Sequence, residues 1–234
     1  MIRLVFFPLA LLLVLLTSCA RFDPQIRKSN AEGFAIETGF DTTYFSTEMF
    51  NIWGAERLIK GFSETVVIYI EGDGLAYHRR YRPSNDPTPV DYFTLQLAAL
   101  EFNHSVFYLA RPCQFLSPGE LQNCNPKYWT SHRYSEEVIL TYEKILHEIR
   151  HKTGSSKLIL VGYSGGGTIA TLLAARRQDI SHLVTIAANL DLEAWTQHHE
   201  LASMDASLNP TVFSESLVKI AQTHFVGTED NIVP

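Results

Sequence analysis

One stretch decides the fold of this chain: Lys157-Leu158-Ile159-Leu160-Val161-Gly162-Tyr163-Ser164-Gly165-Gly166-Gly167-Thr168. Its first half is an apolar run typical of a buried strand, and small, helix-compatible residues follow over 168–177. The glycines allow a tight turn without Cβ clashes, so Ser164 can adopt a strained backbone conformation with its hydroxyl pointing outward. The following helix would direct its N-terminal N–H groups at any negative charge that forms there. A glycine-rich turn with an incidental serine is the structural alternative.

The segment 162–166 resembles the G-x-S-x-G nucleophile elbow of the α/β-hydrolase superfamily. The resemblance extends over roughly residues 60–234. It implies an α/β class protein with the α/β-hydrolase fold, in which a mostly parallel sheet carries helices on both faces. It also implies that Ser164 is the nucleophile and that an acid and then a histidine follow it along the chain.

The rest of the chain alternates between strand and helix patterns, which independently predicts a mostly parallel sheet. Apolar runs predict strands at 65–70, 105–110, 182–188 and 223–226. Amphipathic periodicity predicts helices that begin at Thr88 or Asp91 and end near 102, and that run from Ser135 to about Gly154. Residues 33–38 and 43–53 alternate loosely and predict an N-terminal hairpin or edge strands.

Two aspartates are candidates for the catalytic acid. The segment 227–234 matches the superfamily pattern G-x-x-D-x-x-V-P, which makes Asp230 the first candidate. A solvated turn aspartate is the structural alternative. Asp191 follows the preceding strand, where some lipases of the superfamily place their acid, but a helix N-cap is the interpretation that its position favours.

The histidine base is the difficulty. None of the nine histidines follows Asp230, so we expect the chain to be a fragment or a truncated gene product that lacks its final strand, final helix and catalytic histidine. His198 and His199 follow Asp191 too closely to form a triad across two loops. His224 lies in a predicted buried strand and is expected to be structural. His78 lies beside the presumed oxyanion loop, in a segment too irregular to place.

The resemblance also indicates an oxyanion hole. One N–H belongs to Gly165, directly after the nucleophile, and the second belongs to Asp73 or Gly74 in the loop Glu71-Gly72-Asp73-Gly74. Glutamate stands here where the superfamily often has histidine. The segments 82–89 and 110–114 resemble loops of a group of bacterial exported α/β-hydrolases. The basic cluster 78–82 could contact an anionic substrate or lipid headgroup, or be a solvated loop.

The N-terminus has the features of an export signal. Residues 4–16 form an apolar run that is too short to span a bilayer, which requires ~20 residues, but suits a signal-peptide core. Leu16-Thr17-Ser18-Cys19 resembles the lipobox of bacterial lipoproteins. The resulting division is a signal peptide at 1–18, a lipidated Cys19 with a tether at 19–30, and a C-terminally incomplete hydrolase domain at 31–234. This implies a periplasm-facing or outer-membrane lipoprotein of a Gram-negative bacterium, and an ordinary secreted protein is the alternative.

Composition and cysteine usage restrict the remaining possibilities. A net charge of -6 gives no reason to expect a nucleic-acid partner. Cys113 and Cys124 close a short loop and in an oxidising compartment predict a disulfide, with two free thiols as the alternative. No second Cys or His pair stands at zinc-site spacing, so we expect neither a metal nor a cofactor.

Together these patterns predict a membrane-anchored serine hydrolase that cleaves an ester, thioester or amide through an acyl-Ser164 intermediate. Its substrate would be a small or lipid-like ester, while hydrolysis and acyl transfer are not separable at this level. The alternative function is a non-catalytic envelope lipoprotein that uses a degenerate hydrolase scaffold for binding. The oligomeric state stays open.

Overall fold

The fold is that of a computed structural model, which describes residues 23–61, 63–79 and 81–233. The predicted signal peptide, lipobox and Cys19 lie outside these residues. A seven-stranded sheet has the spatial order β1-β2-β6-β3-β7-β8-β9, and β4 and β5 form a separate two-stranded hairpin. The strands are β1 Asp41–Ser46, β2 Asn51–Arg57, β3 Thr65–Ile70, β4 Tyr77–Arg79, β5 Arg82–Pro83, β6 Ser105–Leu109, β7 Lys157–Tyr163, β8 Ile180–Ile186 and β9 Ala221–Phe225.

The large sheet is mostly parallel, as predicted. Strand β3 pairs in parallel with β6 and β7, and β8 pairs in parallel with β7 and β9. Strands β1 and β2 form an antiparallel edge against β6. The helices are α1 Pro24–Glu37, α2 Phe93–Ala99, α3 Glu136–Thr153, α4 Gly165–Arg176, α5 Leu192–His198 and α6 Ser214–Leu217. No helix in the described part of the chain is long and apolar enough to cross a membrane.

Helices cover both faces of the sheet, because the inner strands are apolar on both sides. In β6, Phe107 and Leu109 face a core formed with α3 and α4, whereas Val106 and Tyr108 face a second core formed with α1 and α2. This alternation follows from the two-residue period of a strand. The predicted sheet with helices on both faces is therefore confirmed.

The segment predicted to be a tether is partly helical. Helix α1 begins at Pro24, and the Asp23 carboxylate caps it by accepting the N–H of Gln25 at 2.8 Å. The long side chains of Arg27 and Lys28 are buried by packing against neighbouring loops. Residues 24–30 therefore belong to the folded domain. Arg27 donates to the Thr88 carbonyl oxygen and Lys28 to the Glu120 carboxylate, and composition alone does not reveal these acceptors.

Helix α1 also replaces the first strand of the predicted N-terminal hairpin. Residues 33–37 lie inside the helix, and the hairpin consists of β1 and β2 instead. The buried Ala31 and Ala35 lie one helical turn apart and face the core. Loose alternation of apolar and polar residues is a weak strand signal here, because apolar residues spaced four positions apart on one helix face produce a similar pattern.

The predicted disulfide is present between Cys113 and Cys124. Cys113 is buried and has a φ of 71°, in a loop that leaves the C-terminal end of β6. The bridge therefore fixes a loop whose backbone adopts a conformation that a non-glycine residue rarely populates.

We expect the double variant Cys113→Ser/Cys124→Ser to lose about 2–4 kcal/mol of unfolding free energy, because the open loop gains conformational freedom in the unfolded chain. Urea unfolding measures this loss. The wild-type protein under reducing conditions should show the same decrease, and an unchanged midpoint in both samples would contradict a stabilising disulfide.

Candidate active site

The segment predicted to be a nucleophile elbow has the strand–turn–helix geometry that its sequence predicts. Strand β7 ends at Tyr163, helix α4 begins at Gly165, and Ser164 between them has φ 50° and ψ -125°. The Ser164 N–H donates a hydrogen bond to the carbonyl oxygen of Ile186 at 2.8 Å, which ties the turn to the end of β8. A serine with positive φ is strained, and surrounding structure must hold it there.

Two glycines allow helix α4 to start directly against the sheet. A Cβ on Gly162 would overlap the backbone of Gly166, and a Cβ on Gly166 would overlap the carbonyl oxygens of Ile70 and Glu71. The start of α4 therefore packs on the end of β3 with backbone against backbone. This contact places the elbow beside the loop that follows β3.

The predicted oxyanion loop lies against the elbow. A Cβ on Gly72 would lie 3.0 Å from Cδ1 of Tyr163 and 3.4 Å from Cβ of Ser164. A Cβ on Gly165 would overlap the carboxylate of Asp73. Gly165 and Asp73, two of the three residues predicted to supply oxyanion N–H groups, thus lie in contact beside Ser164.

The Asp73 side chain is the centre of an ion cluster that the sequence did not reveal. Its Oδ1 accepts from Nη1 of Arg111 at 2.8 Å, and its Oδ2 accepts from Nη1 of Arg133 at 2.6 Å. The hydroxyl of Tyr134 donates to Oδ2 at 3.2 Å. Arg111 also donates to the Arg133 carbonyl oxygen at 2.6 Å. We call Asp73, Arg111, Arg133 and Tyr134 the Asp73 cluster.

Charge pairing within the Asp73 cluster keeps its carboxylate ionised. Burial raises the pKa of Asp73, but the Arg133 and Arg111 guanidiniums outweigh burial and hold this pKa below its usual value. Burial and the nearby Asp73 charge raise the pKa of Tyr134 to about 12. The cluster therefore carries one negative and two positive charges at neutral pH.

Gln114 joins the disulfide loop to the oxyanion loop. Its Nε2 donates to the carbonyl oxygens of Gly72 at 3.0 Å and Pro87 at 3.3 Å, and its Oε1 accepts the Arg111 N–H at 3.1 Å. The side chain of Gln114 is completely buried. The resemblance of 110–114 to loops of exported hydrolases was the available signal, but it did not indicate this contact.

Glu71 is a buried acid at the start of the same loop. Its Oε1 accepts from the Gly72 N–H at 2.9 Å and the Thr94 hydroxyl at 2.7 Å, and its Oε2 accepts from the Tyr108 hydroxyl at 2.9 Å. Burial raises the pKa of Glu71, and these three donors only partly oppose that shift. The position that often holds histidine in the superfamily is therefore occupied here by a carboxyl group inside the domain.

The two candidate acids have different surroundings. Oδ1 of Asp230 accepts the N–H groups of Ile232 at 2.8 Å and Val233 at 3.0 Å, and these hydrogen bonds lower the pKa of Asp230. Asp191 is the N-cap of α5 and accepts the N–H groups of Glu193 and Ala194, both at 3.1 Å. The N-cap interpretation of Asp191 is confirmed. The role of Asp230 as the catalytic acid stays a prediction.

The histidines fall into different environments. His198 and His199, at the end of α5, line the same cleft as Ser164. His224 was expected to be buried, but it is exposed, because β9 has only one neighbouring strand in the described sheet. His78 is also exposed, on β4. No hydrogen bond joins a histidine to Ser164 within the described residues.

Ser164 lies in a cleft of about 1460 Å³. Its walls come from the oxyanion loop, the β4–β5 hairpin, α5 and the segment that contains Asp230. Aromatic and aliphatic side chains contribute much of the lining: Tyr77, Tyr81, Phe93, Tyr134, Tyr163, Trp195, Leu75, Val90, Leu201, Met204, Ile232 and Val233. Within residues 23–61, 63–79 and 81–233, no group of three His, Cys, Asp or Glu residues could hold a metal ion.

Known proteins share this architecture. A family model of the alpha/beta hydrolase fold matches residues 117–226, which include the elbow. The chain adopts the α/β-hydrolase fold. Among solved structures, an acylaminoacyl peptidase of Pyrococcus horikoshii matches this hydrolase-fold chain with a TM-score of 0.55 and 11% identity, covering 87% of this chain and 34% of that one.

Two further solved structures match this chain. A membrane phospholipase A, titled a novel bacterial virulence factor, matches with a TM-score of 0.50 and 16% identity over 97% of this chain and 82% of that one. Proline iminopeptidase of Mycobacterium smegmatis gives a TM-score of 0.45 and 14% identity over 68% and 48%. This hydrolase-fold chain spans about half the length of the first structures that it matches. No curated protein matches its sequence.

We expect Gly166→Ala to lower the unfolding free energy by at least about 2 kcal/mol, because its Cβ would separate α4 from the end of β3. Urea unfolding measures the change. Gly119→Ala is the matched control, since a Cβ on Gly119 meets no atom within 4 Å. Equal stability of the two variants would show that the close approach is unimportant.

Replacing Asp73 should expose the dependence of the site on its charge. Asp73→Asn leaves two largely buried guanidiniums without an anion, and we expect a loss of about 3 kcal/mol at neutral pH. Because the folded pKa of Asp73 is lowered, its stabilisation is present above the unfolded value of about 3.9 and disappears as pH falls through the folded value. The difference between wild type and variant should therefore shrink in acid.

Urea unfolding between neutral and acidic pH measures this difference. The exposed Asp41 provides a matched control, and Asp41→Asn should change the unfolding free energy by less than about 0.5 kcal/mol. A constant difference between wild type and Asp73→Asn across the pH range would exclude charge as the source of the effect.

Proposed function

We propose that this protein is a serine hydrolase that cleaves an ester, with thioesters and amides as chemically related substrates, through an acyl-Ser164 intermediate. The observation that carries the proposal is the strained backbone of Ser164, held between β7 and α4 at the wall of a large cleft. Strain of this kind at a serine is typical of a nucleophile that must stand clear of its neighbours.

In the proposed reaction, the Ser164 oxygen attacks the carbonyl carbon of the substrate while its proton passes to a histidine base. The carbonyl π electrons move to oxygen, and this oxyanion accepts hydrogen bonds from the N–H groups of Gly165 and of Asp73 or Gly74. Collapse of the intermediate expels the alcohol, which takes the proton from the base. Water then attacks the acyl group by the same steps and releases the acid and Ser164.

The other proposed roles follow from position. Asp230 would orient the base, and its lowered pKa keeps it ionised for that purpose. No histidine follows Asp230 within the 234 residues, and His198 and His199 are the histidines of the described residues that line the cleft. Each oxyanion donor would contribute about 3 kcal/mol to stabilisation of the transition state.

The cleft supports an ester with a sizeable apolar group as the substrate class. Its volume lies above the range of about 300–1,000 Å³ that is usual for small-molecule pockets. Tyrosine, phenylalanine and tryptophan side chains provide broad apolar contact for an acyl or aromatic group. This apolar lining supports esterase activity.

In the full-length gene product, we expect Ser164→Ala to abolish labelling by a fluorophosphonate probe and to lower kcat/KM for aryl esters by a factor of at least about 10³, because the acyl intermediate forms on the Ser164 oxygen. In-gel fluorescence and ester hydrolysis measure these effects. Ser216→Ala removes an exposed hydroxyl on α6 and should leave both unchanged.

The alternative proposal is a non-catalytic envelope lipoprotein, anchored through Cys19, that uses the cleft only for binding. It predicts no labelling and no ester hydrolysis for the full-length gene product. That result, obtained with correctly folded protein, would contradict the hydrolase proposal. Equal labelling of wild type and Ser164→Ala would contradict Ser164 as the nucleophile.

A further inference from the structure

The β4–β5 hairpin projects beside the cleft. Every described side chain of its two strands is exposed, and the exposed fraction of Tyr81 in the turn reaches 75%. Tyr77, Tyr81 and Pro83 line the cleft that contains Ser164. The hairpin therefore presents one surface to solvent at the point where a substrate would enter.

Two arginines of the hairpin lie directly opposite each other. Arg79 pairs with Arg82 across the antiparallel strands. Like charges at opposed positions repel and destabilise a hairpin unless an anion lies between or beside them. Within the described part of the chain, neither side chain forms an ion pair or hydrogen bond with a protein group.

The neighbouring acid of the same loop does not neutralise this pair. Asp86 accepts the Thr88 N–H at 2.8 Å and lies 4.0 Å from Arg27, so its carboxylate is engaged away from the hairpin. The whole chain carries a net charge of -6. A cationic hairpin on an acidic protein is thus a local feature, and it has charge complementarity with an anionic partner.

We propose that the β4–β5 hairpin docks the protein on an anionic lipid surface, with Arg79 and Arg82 against the headgroup phosphates. A small free anion would require a concave site with buried donors, whereas the described side chains of both hairpin strands are exposed. An extended array of headgroup phosphates can contact such exposed cations. The exposed Tyr77 and Tyr81 rings suit the boundary between headgroups and acyl chains, where tyrosine is enriched.

Docking in this orientation gives the hairpin a functional consequence. Because Tyr77 and Tyr81 belong both to the hairpin and to the cleft wall, a bound surface would lie at the cleft entrance. A lipid ester could then enter from the surface without crossing bulk water. Docking itself requires no turnover, so Ser164→Ala should bind vesicles like the wild type, and failure of catalysis would not affect this test.

The test uses the full chain with Cys19→Ser, which prevents lipidation, and co-flotation with vesicles. The readout is the ratio of partitioning onto mixed phosphatidylcholine–phosphatidylglycerol vesicles to partitioning onto pure phosphatidylcholine vesicles. Apolar N-terminal residues contribute to both terms and cancel in the ratio. We expect Arg79→Gln and Arg82→Gln each to lower the ratio about fivefold, as expected for one cation near an anionic surface.

Matched variants separate the hairpin from net charge. Lys60→Gln/Lys219→Gln removes two exposed cations outside the cleft and should preserve the ratio, as should Arg79→Lys/Arg82→Lys, which keeps both charges. Circular dichroism verifies the fold of each variant. A preserved ratio in Arg79→Gln/Arg82→Gln would overturn the proposal. An equal loss in Lys60→Gln/Lys219→Gln would overturn it as well.

The ionic strength dependence distinguishes a surface from a site for free phosphate. Sodium chloride and sodium phosphate at equal ionic strength should reduce binding equally, because both screen the surface charge. Selective displacement by phosphate would overturn lipid docking in favour of a small-anion site. Equal partitioning of the wild type onto both vesicles would also overturn it.

Discussion

The structure around Ser164 depends on the ionised carboxylate of Asp73. A carboxylate that is largely removed from solvent, as this one is, stays ionised only when cations and hydrogen-bond donors surround it. Here they come from the loop after β6, through Arg111, and from the segment before α3, through Arg133 and Tyr134. One charge therefore holds three separate segments of the chain together, directly beside the elbow that bends β7 into α4.

The two acids of the oxyanion loop have opposite environments. Glu71 is buried among neutral donors, which leaves its pKa raised, whereas two guanidiniums lower the pKa of Asp73. Glu71 and Asp73 are only two residues apart, but their different partners shift their pKa values in opposite directions. The Asp73 cluster has an excess of positive charge, and this excess would stabilise a negative charge that formed beside Ser164.

The sequence predicted those parts of the molecule that depend on local pattern. The bounds of β3 and α3 follow from an apolar run and from the cap residues Ser135 and Gly154. The Asp73 cluster was not predictable, because ion pairs join residues 38 and 60 positions apart and no periodicity links them. The exposure of His224 was missed for a related reason, since burial of a strand depends on its neighbours.

Hydrogen bonds connect α5, which forms one wall of the cleft, with the turn that contains the candidate acid Asp230. Trp195 Nε1, in the middle of α5, and His199 Nε2, directly after α5, both contact the carbonyl oxygen of Ile232, at 2.6 and 2.9 Å. The N–H of Val233, which belongs to the same peptide unit as that carbonyl, in turn donates to Oδ1 of Asp230 at 3.0 Å. A movement of α5 away from the cleft would therefore break hydrogen bonds to the turn that fixes this carboxylate. Opening of this wall and positioning of the acid are consequently not independent, because the same peptide unit takes part in both.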